Sequence, residues 1–284
     1  MGERPGAAVP AADGPAVRRL MVEDLGVAGS GRIDTVLEEV PVALVYNGIS
    51  HAVMLATPGD LDDFALGFSL SEGIVRAADE LYECELESAC ADQGLVLQLR
   101  IAAARFVALR ERRRQLAGRT GCGLCGVDSL QAMAPAPVSV SAALGGERRV
   151  AAEAVRHALA AMGALQPLHR LTGGAHAAAW VNRAGEVLLV REDVGRHNAL
   201  DKLLGAVVRA GLPRGDGFVL CTSRASYEMV HKTASLGVGL LVAVSAPTAR
   251  AVALAERCGL TLVAFARDHR QVIYSHPQRL SGPA

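Results

Sequence analysis

The feature that most constrains the fold is an alternation of apolar runs and amphipathic segments between residues 217 and 267. Apolar runs of strand length alternate with segments of helical periodicity, and Ser223 and Ser245 precede the two helical segments. The predicted strands are 218–222, 240–244 and 261–266, and the predicted helices are 226–236 and 247–258. A strand-helix-strand-helix-strand order indicates parallel strands with right-handed crossovers. This part of the chain is therefore predicted to be α/β.

The carboxyl ends of these strands form the first candidate site. Parallel sheets bind ligands beyond that edge, where helix N-termini favour anions. The residues predicted there are rich in arginine and hydroxyl groups, and they are 222–224, 245–248 and 267–270. Such a crevice suits a phosphate or nucleotide group. The sequence has no Walker or G-x-G-x-x-G motif, so an ordinary ATP or NAD site is not supported.

The first half of the chain has a different pattern. Two β-rich runs, 42–46 and 49–55, flank Asn47-Gly48, the pair favoured in type I′ hairpin turns. A helix, another strand and a basic helix follow, which predicts a mixed α+β arrangement. We therefore expect four parts. They are a disordered tail (1–30), an N-terminal α+β part (31–115), a mobile loop (116–128) and an α/β domain (129–284).

The loop carries a Cys-x-x-Cys pair, Cys122 and Cys125, in the sequence GCGLCG. Its glycines disfavour one fixed conformation and leave both sulfurs uncovered by neighbouring side chains. An arginine-rich run, 110–114, lies upstream, and Arg119 is closer still. Positive charge lowers the pKa of a thiol, and the thiolate is the nucleophilic form. The pattern predicts a reactive, sulfur-bearing loop.

Other interpretations of the cysteine pair remain open. The pair is half of a zinc site if two further ligands join it, but the sequence has no second C-x-x-C motif. A thioredoxin-like redox pair belongs at the mouth of a strand-helix unit, whereas this pair follows a charged helix. A structural disulfide needs an oxidising compartment, which nothing in the sequence indicates. Cys221 and Cys258 lie in apolar runs and are predicted to pack in the core.

A second polar stretch lies at residues 191–198, between an apolar strand and an apolar helix. In one interpretation, Asp193 or Asn198 caps the helix. In the other, Arg191, Asp193, Arg196 and His197 converge on a ligand and form an alternative nucleotide site.

Composition excludes several classes of protein. The 29 basic and 29 acidic residues balance, which argues against nucleic-acid binding by bulk charge. The longest apolar run, 238–246, is too short to cross a membrane. The N-terminus lacks the apolar stretch of a signal peptide. We therefore expect a cytoplasmic protein that acts on neither nucleic acid nor membranes.

Several motifs, taken in order, resemble one known family. They are GCGLCG, TGGAHAAA, REDVGRHNALDKLLG, TSRASYEMVHKTASLGVG, SAPTARAVALAERCGLTLVAFAR and YSHP. Together they are similar to the formate dehydrogenase accessory sulfurtransferases, the FdhD family, from about residue 41 to residue 277. The resemblance implies a homodimer with a cytidine-deaminase-like three-layer fold.

The resemblance also implies an activity and its partners. A cysteine desulfurase would donate persulfide sulfur to this chain. The chain would then sulfurate the Mo-bis(molybdopterin guanine dinucleotide) cofactor, the molybdenum cofactor required by formate dehydrogenase. A guanine nucleotide would mimic part of that substrate, and no metal of the protein's own is expected.

The family's site residues fall on two stretches of this sequence. Cys122 would hold the persulfide, and Cys125 would assist or resolve it. The cofactor-binding residues would be Phe265, Ala266, Arg267, Asp268, His269 and Arg270. Deaminase chemistry is not implied, because it requires a His-x-Glu motif and His176 is followed two residues later by Ala178. A cofactor chaperone without covalent chemistry and a deaminase-type zinc hydrolase are the competing functions.

Overall fold

The N-terminal half of the chain forms a small sheet with two helices. The computed structural model describes residues 14–27, 29–88, 94–117, 140, 149–267 and 270–282. Strands β1 (Val17–Val22) and β2 (Arg32–Leu37) pair with each other as an antiparallel ribbon. A four-stranded sheet follows, with order β4-β3-β6-β5. Its elements are β3 (Val40–Tyr46), β4 (Ile49–Ala56), helix α1 (Leu61–Ser71), β5 (Leu81–Ser88), β6 (Leu95–Ile101) and helix α2 (Ala103–Ala117).

Two predictions for this half have different outcomes. Asn47 and Gly48 have φ values of 45° and 82°, which confirms the type I′ turn between β3 and β4. The prediction of a disordered tail over residues 1–30 is wrong for residues 17–22, which form β1. The glycine-, alanine- and proline-rich composition ends at about residue 16, and the apolar residues that follow allow pairing with β2.

The C-terminal half forms the main sheet, which has six strands. The elements of this half, in chain order, are β7 (Val150–Ala151), α3 (Ala152–Met162), α4 (Pro167–Thr172), β8 (His176–Asn182), β9 (Val187–Asp193), α5 (Arg196–Arg209), β10 (Gly217–Cys221), α6 (Tyr227–Ser235), β11 (Leu240–Ala243), α7 (Ala249–Cys258), β12 (Thr261–Arg267), β13 (Arg270–Ser275) and β14 (Leu280–Ser281). Strands β7 and β14 pair with each other outside the main sheet. The strand order is β13-β12-β11-β10-β8-β9. Strands β10, β11 and β12 are parallel, as predicted, and their neighbours β8 and β13 are antiparallel to them.

Helices cover both faces of the main sheet. Val219 and Cys221 of β10 pack in a core with α5, α6 and α7, whereas Phe218 and Leu220 pack with α3 on the opposite face. This alternation gives three layers and a mixed α/β fold. Cys221 and Cys258 are buried in the first core, as predicted. Within the described ranges, no helix combines the length and apolarity that crossing a membrane requires.

The two halves meet where α1 crosses α5. A Cβ atom added at Gly67 would lie 1.8 Å from the carbonyl oxygen of Asp201, and one added at Gly205 would lie 1.9 Å from that of Asp63. Only glycine permits such a close approach of two helix backbones. The contact fixes the N-terminal sheet against the main sheet.

Buried charges surround this helix crossing. Lys202 is enclosed, with its Nζ 2.7 Å from Asp193 and 2.8 Å from the carbonyl oxygen of Thr57. The Nζ of Lys232 lies 3.0 Å from Asp201 and also contacts Glu72. We call these pairs the junction network. Burial alone would lower the pKa of Lys232, but the carboxylates more than offset that effect and raise it.

Candidate functional site

Five strand ends meet at one edge of the main sheet. Strands β10, β11 and β12 end there, and β8 begins there because Ala178 lies opposite Cys221 in the antiparallel pair. Strand β9 ends at the same edge, with Asp193 opposite His176. The predicted crevice and the polar stretch 191–198 therefore lie on one edge and not in separate places.

Phe265 is the most unusual residue at this edge. Its backbone is left-handed, with φ 48°, at a register shift between β12 and β13. Its N–H donates to the carbonyl oxygen of Ser245, 3.0 Å away, which ties the end of β12 to the loop after β11. This conformation costs a bulky residue roughly 1–3 kcal/mol, and such strain is concentrated at binding sites. The geometry supports the assignment of Phe265 to a site.

Two arginines follow Phe265. Arg267 and Arg270 are direct partners in the β12–β13 pair, and both are exposed. The guanidinium of Arg270 lies 4.5 Å from the centre of the Phe265 ring. Neither arginine forms an ion pair or hydrogen bond with any residue that the structure describes. Like charges placed opposite each other are unfavourable, and arginine binds phosphate oxygens in a bidentate manner, so the pair is suited to an anion.

The other predicted site residues are placed differently. Ala266 is fully buried in the core beside α3, so its side chain packs and only its backbone could reach a ligand. Asp268 and His269 lie outside the described residues, as do Cys122 and Cys125. The structure thus brings together Phe265, Arg267 and Arg270.

Two helix N-termini point toward the same edge. The hydroxyl of Ser226 caps α6 by accepting the N–H of Met229 at 3.4 Å, and the hydroxyl of Thr248 caps α7 by accepting the N–H of Ala251 at 3.2 Å. The predicted helix starts are correct to within two residues. The caps come three residues after Ser223 and Ser245, because a β-bridge keeps the intervening chain extended. Free N–H groups in both first turns favour an anion.

The polar stretch 191–198 divides into a structural part and an open part. The carboxylate of Asp193 is fully buried, accepts the side-chain amide of Asn198 and pairs with Lys202. Arg191 pairs with Asp63 of α1 at 2.7 Å. These residues hold the two halves of the chain together. Neither Asp193 nor Asn198 occupies the N-cap position of α5, which is Gly195.

The remaining polar residues of the stretch, Arg196 and His197, lie close to two histidines from other elements. Arg196 and His197 form the first turn of α5, His176 begins β8 and His169 lies in α4. We call these four residues the histidine cluster. Burial lowers the pKa of His176, and the nearby charges of Arg196, His169 and His197 lower it further. Among the described residues, no group of three or more His, Cys, Asp or Glu is arranged to hold a metal ion.

Sequence reasoning assigned this cluster only in part. It named Arg196 and His197 in one of two interpretations of residues 191–198. It discussed His176 only in relation to the deaminase motif, and it did not identify His169. A usable signal was the pair of apolar runs on either side of the turn at residues 182–185, which indicates a hairpin and so places His176 beside the end of β9. No comparable signal marked His169, because α4 was not predicted.

A cavity of about 700 Å³ adjoins the arginine pair on the α3 side of the sheet. Its lining includes Val155, Arg156, Val263, Arg270, Gln271 and Ile273. Its volume falls in the range of small-molecule sites. The sequence did not predict this cavity, because its walls depend on β13 and β14.

Comparison with known proteins gives consistent results. Residues 37–281 match the sequence model of the FdhD/NarQ family. The chain is 56% identical to the sulfur carrier protein FdhD of Cupriavidus necator over 253 residues, which cover 88% of this chain and 85% of that protein. It is 53% identical to the protein of the same name from Xanthomonas euvesicatoria, over 87% of this chain and 86% of that one.

A solved structure shares the fold. It is the crystal structure of a protein from Desulfotalea psychrophila that has been assigned as a formate dehydrogenase accessory protein. The TM-score is 0.68 at 23% sequence identity, over 93% of this chain and 98% of that one.

Proposed function

The chain belongs to the FdhD/NarQ family, and we propose that it is a sulfur carrier that serves the maturation of formate dehydrogenase. The names of its relatives in Cupriavidus necator and Xanthomonas euvesicatoria support the first part of this proposal. The observation that carries the second part is the pair of arginines beside the strained Phe265, which have no carboxylate partner among the described residues and where an anionic substrate can bind.

The described cysteines are unsuited to carry sulfur. Burial raises the pKa of Cys221 to about 11, and burial together with Asp62 raises the pKa of Cys84 to about 12. Burial also raises the pKa of Cys258. A persulfide carrier must form a thiolate, so these environments are unfavourable. This supports assigning the carrier role to Cys122, in the glycine-flanked pair downstream of the arginine-rich run.

The proposed chemistry has two steps. The Cys122 thiolate attacks the outer sulfur of a desulfurase persulfide, a new S–S bond forms on Cys122, and the desulfurase cysteine leaves as a thiolate. Cys125 then attacks the Sγ of Cys122 and releases the outer sulfur as sulfide to the molybdenum centre of the substrate. The two electrons come from the cysteine pair, which becomes a disulfide and is regenerated by a cellular dithiol.

The substrate in this proposal is the Mo-bis(molybdopterin guanine dinucleotide) cofactor, and it is a substrate and not a resident group of the protein. We place one guanine nucleotide of it beside Phe265, Arg267 and Arg270, with the adjoining cavity available to its uncharged parts. Arg224, exposed after β10, adds charge to the same edge. GDP should therefore bind as a partial mimic.

The remaining parts of the proposal follow from the family resemblance. They are a cytidine-deaminase-like variant of the three-layer fold, a homodimer, a cysteine desulfurase as donor, formate dehydrogenase as recipient and a cytoplasmic location. The mobile loop at 116–128 also belongs to the proposal and lies, apart from residues 116 and 117, outside the described residues.

Intact-mass measurement tests the carrier role. After incubation with a desulfurase and cysteine, wild-type protein should gain about 32 Da per chain, the mass of one sulfur atom, and this gain should be reversed by a thiol reductant. Cys122→Ala should abolish the gain, and Cys90→Ala, which removes a cysteine outside the pair, should retain it. A full gain on Cys122→Ala would refute the assignment. A chaperone without covalent chemistry would show no gain in any of these proteins.

A further inference from the structure

The histidine cluster gathers one permanently charged arginine and three imidazoles at the edge of the main sheet. Its side chains come from three elements, Arg196 and His197 from α5, His176 from β8 and His169 from α4. The first turn of α5, a 14-residue helix, adds partial positive charge through its free N–H groups. The crevice is therefore rich in hydrogen-bond donors and carries the positive charge of Arg196.

Acidic groups near the cluster are mostly engaged elsewhere. Asp193 pairs with Lys202 in the junction network. Glu192 accepts the backbone N–H groups of Leu168 and His169 at the start of α4. Glu228 of α6 lies 2.7 Å from Nε2 of His197, and its side chain is 62% exposed. Among the described residues, Arg196 and His176 are left without a carboxylate partner of their own.

Polar atoms of the cluster also lack partners. Within the described residues, the enclosed Nε of Arg196 has no acceptor, and the His176 imidazole has no hydrogen bond. Buried donors without partners are rare in folded proteins, and a water, an ion or a ligand can satisfy them. The side chains therefore present donors to a group that the described residues do not supply.

The strand order shows how far the histidine cluster lies from the arginine pair along the sheet edge. Strand β8, which begins at His176, is three strand positions from β12 in the order β12-β11-β10-β8. Neighbouring strands are spaced by about 4.8 Å, so the strands that carry His176 and Arg267 lie about 14 Å apart along one edge. A single extended substrate with several anionic groups can reach both.

We propose that the histidine cluster is a second anion subsite, which binds an oxygen-bearing anionic group of the same substrate whose guanine nucleotide lies at the arginine pair. This inference rests on the proposed function for the identity of the substrate. The bound group is either a phosphate of the cofactor or the oxygen-bearing molybdenum centre, and both present oxygens to His176 and Arg196.

Titration of inorganic phosphate and of molybdate, followed by NMR of the histidine rings, tests the subsite. The resonances of His176, His197 and His169 should shift in a saturable way, whereas those of the exposed His157 on α3 should not. Arg196→Gln should weaken binding by about tenfold or more, and His157→Gln should leave it unchanged. Tighter phosphate binding would assign the phosphate end of the substrate, and tighter molybdate binding would assign its metal end.

Two controls make the result decisive. Arg267→Ala should leave the affinity of the cluster for phosphate unchanged, since the two subsites are separate. His176→Gln keeps a polar side chain of similar size and should weaken phosphate binding while leaving the unfolding transition intact. Shifts that never saturate, that include His157 equally, or that disappear in Arg267→Ala would overturn the subsite. Failure of GDP binding or of persulfide formation would refute the proposed function. The phosphate and molybdate titrations would still show whether the cluster binds an oxyanion.

Discussion

The junction network and the edge of the main sheet are both rich in charge, but they use it in opposite ways. In the junction network, each lysine is enclosed and lies within 3.0 Å of a carboxylate oxygen. At the sheet edge, Arg267 and Arg270 face each other without any carboxylate partner among the described residues. Basic side chains are paired with carboxylates in the junction network, whereas those at the sheet edge lack such partners within the described residues.

This difference separates structural charge from functional charge. Burying an ion is costly unless a partner and hydrogen bonds offset the cost, so the junction network is built for a single arrangement of α1 against α5. An exposed pair of like charges does not stabilise the fold, and a bound anion would offset the repulsion between them. Substitutions in the two regions should therefore affect different measurements.

The largest expected effect is on stability, from Lys202→Met. The change removes the partner of the fully buried Asp193 and should lower the free energy of unfolding by about 3–5 kcal/mol. Urea-induced unfolding followed by circular dichroism measures this loss. Arg257→Met, at an exposed position of α7, should change it by less than about 0.5 kcal/mol. Equal losses of unfolding free energy in the two variants would show that the buried Lys202 matters no more for stability than an exposed arginine.

A smaller effect, and on affinity instead of stability, is expected from Arg267→Ala. Loss of one charge-assisted phosphate contact should weaken GDP binding by about tenfold to a hundredfold. Calorimetric titration of GDP measures this change, with Arg257→Ala as the matched control. The free energy of unfolding should stay within about 0.5 kcal/mol of wild type. Unchanged GDP affinity would shift the nucleotide site away from the arginine pair and toward the histidine cluster.

The smallest effect concerns pH. The pKa of His176 is lowered in the folded state by burial and then by its cationic neighbours, so the unfolded chain takes up the proton first as pH falls. His176 therefore costs stability below the ordinary histidine pKa of about 6.5 and has no effect well above it. Unfolding measured at about pH 8 and about pH 5.5 should show a smaller acid-induced loss in His176→Gln than in wild type. A variant that loses as much stability as wild type would contradict this account, and His157→Gln should behave like wild type.

The parallel part of the main sheet was predictable because its signals are local. Each strand is a short apolar run, and each connecting helix has its own periodicity and boundary residues, so β10, β11, β12 and the intervening helices follow from the sequence. The hairpin at Asn47-Gly48 was predictable for the same reason, since the turn type is set by two adjacent residues.

The features that escaped prediction depend on contacts between distant parts of the chain. The left-handed backbone of Phe265 results from the shifted register with β13 and from the bond to Ser245. The convergence of His169, His176 and His197 depends on the placement of β8 beside β10. Nor did any local pattern show that Asp193 would be buried against Lys202, because both side chains also bind the backbone of Thr57 in the N-terminal half. The assignment of Cys122 and Cys125 rests on sequence and family alone.

The junction network has one practical consequence. Lys202 and Lys232 are the only lysines in the chain, and their side chains are just 1% and 8% exposed. Amine-reactive dyes and cross-linkers should therefore label the folded protein almost solely at its α-amino group. Appearance of label on either lysine would then report that α1 has separated from α5. The protein thus carries an internal probe for the opening of its two halves, which needs no substitution to install.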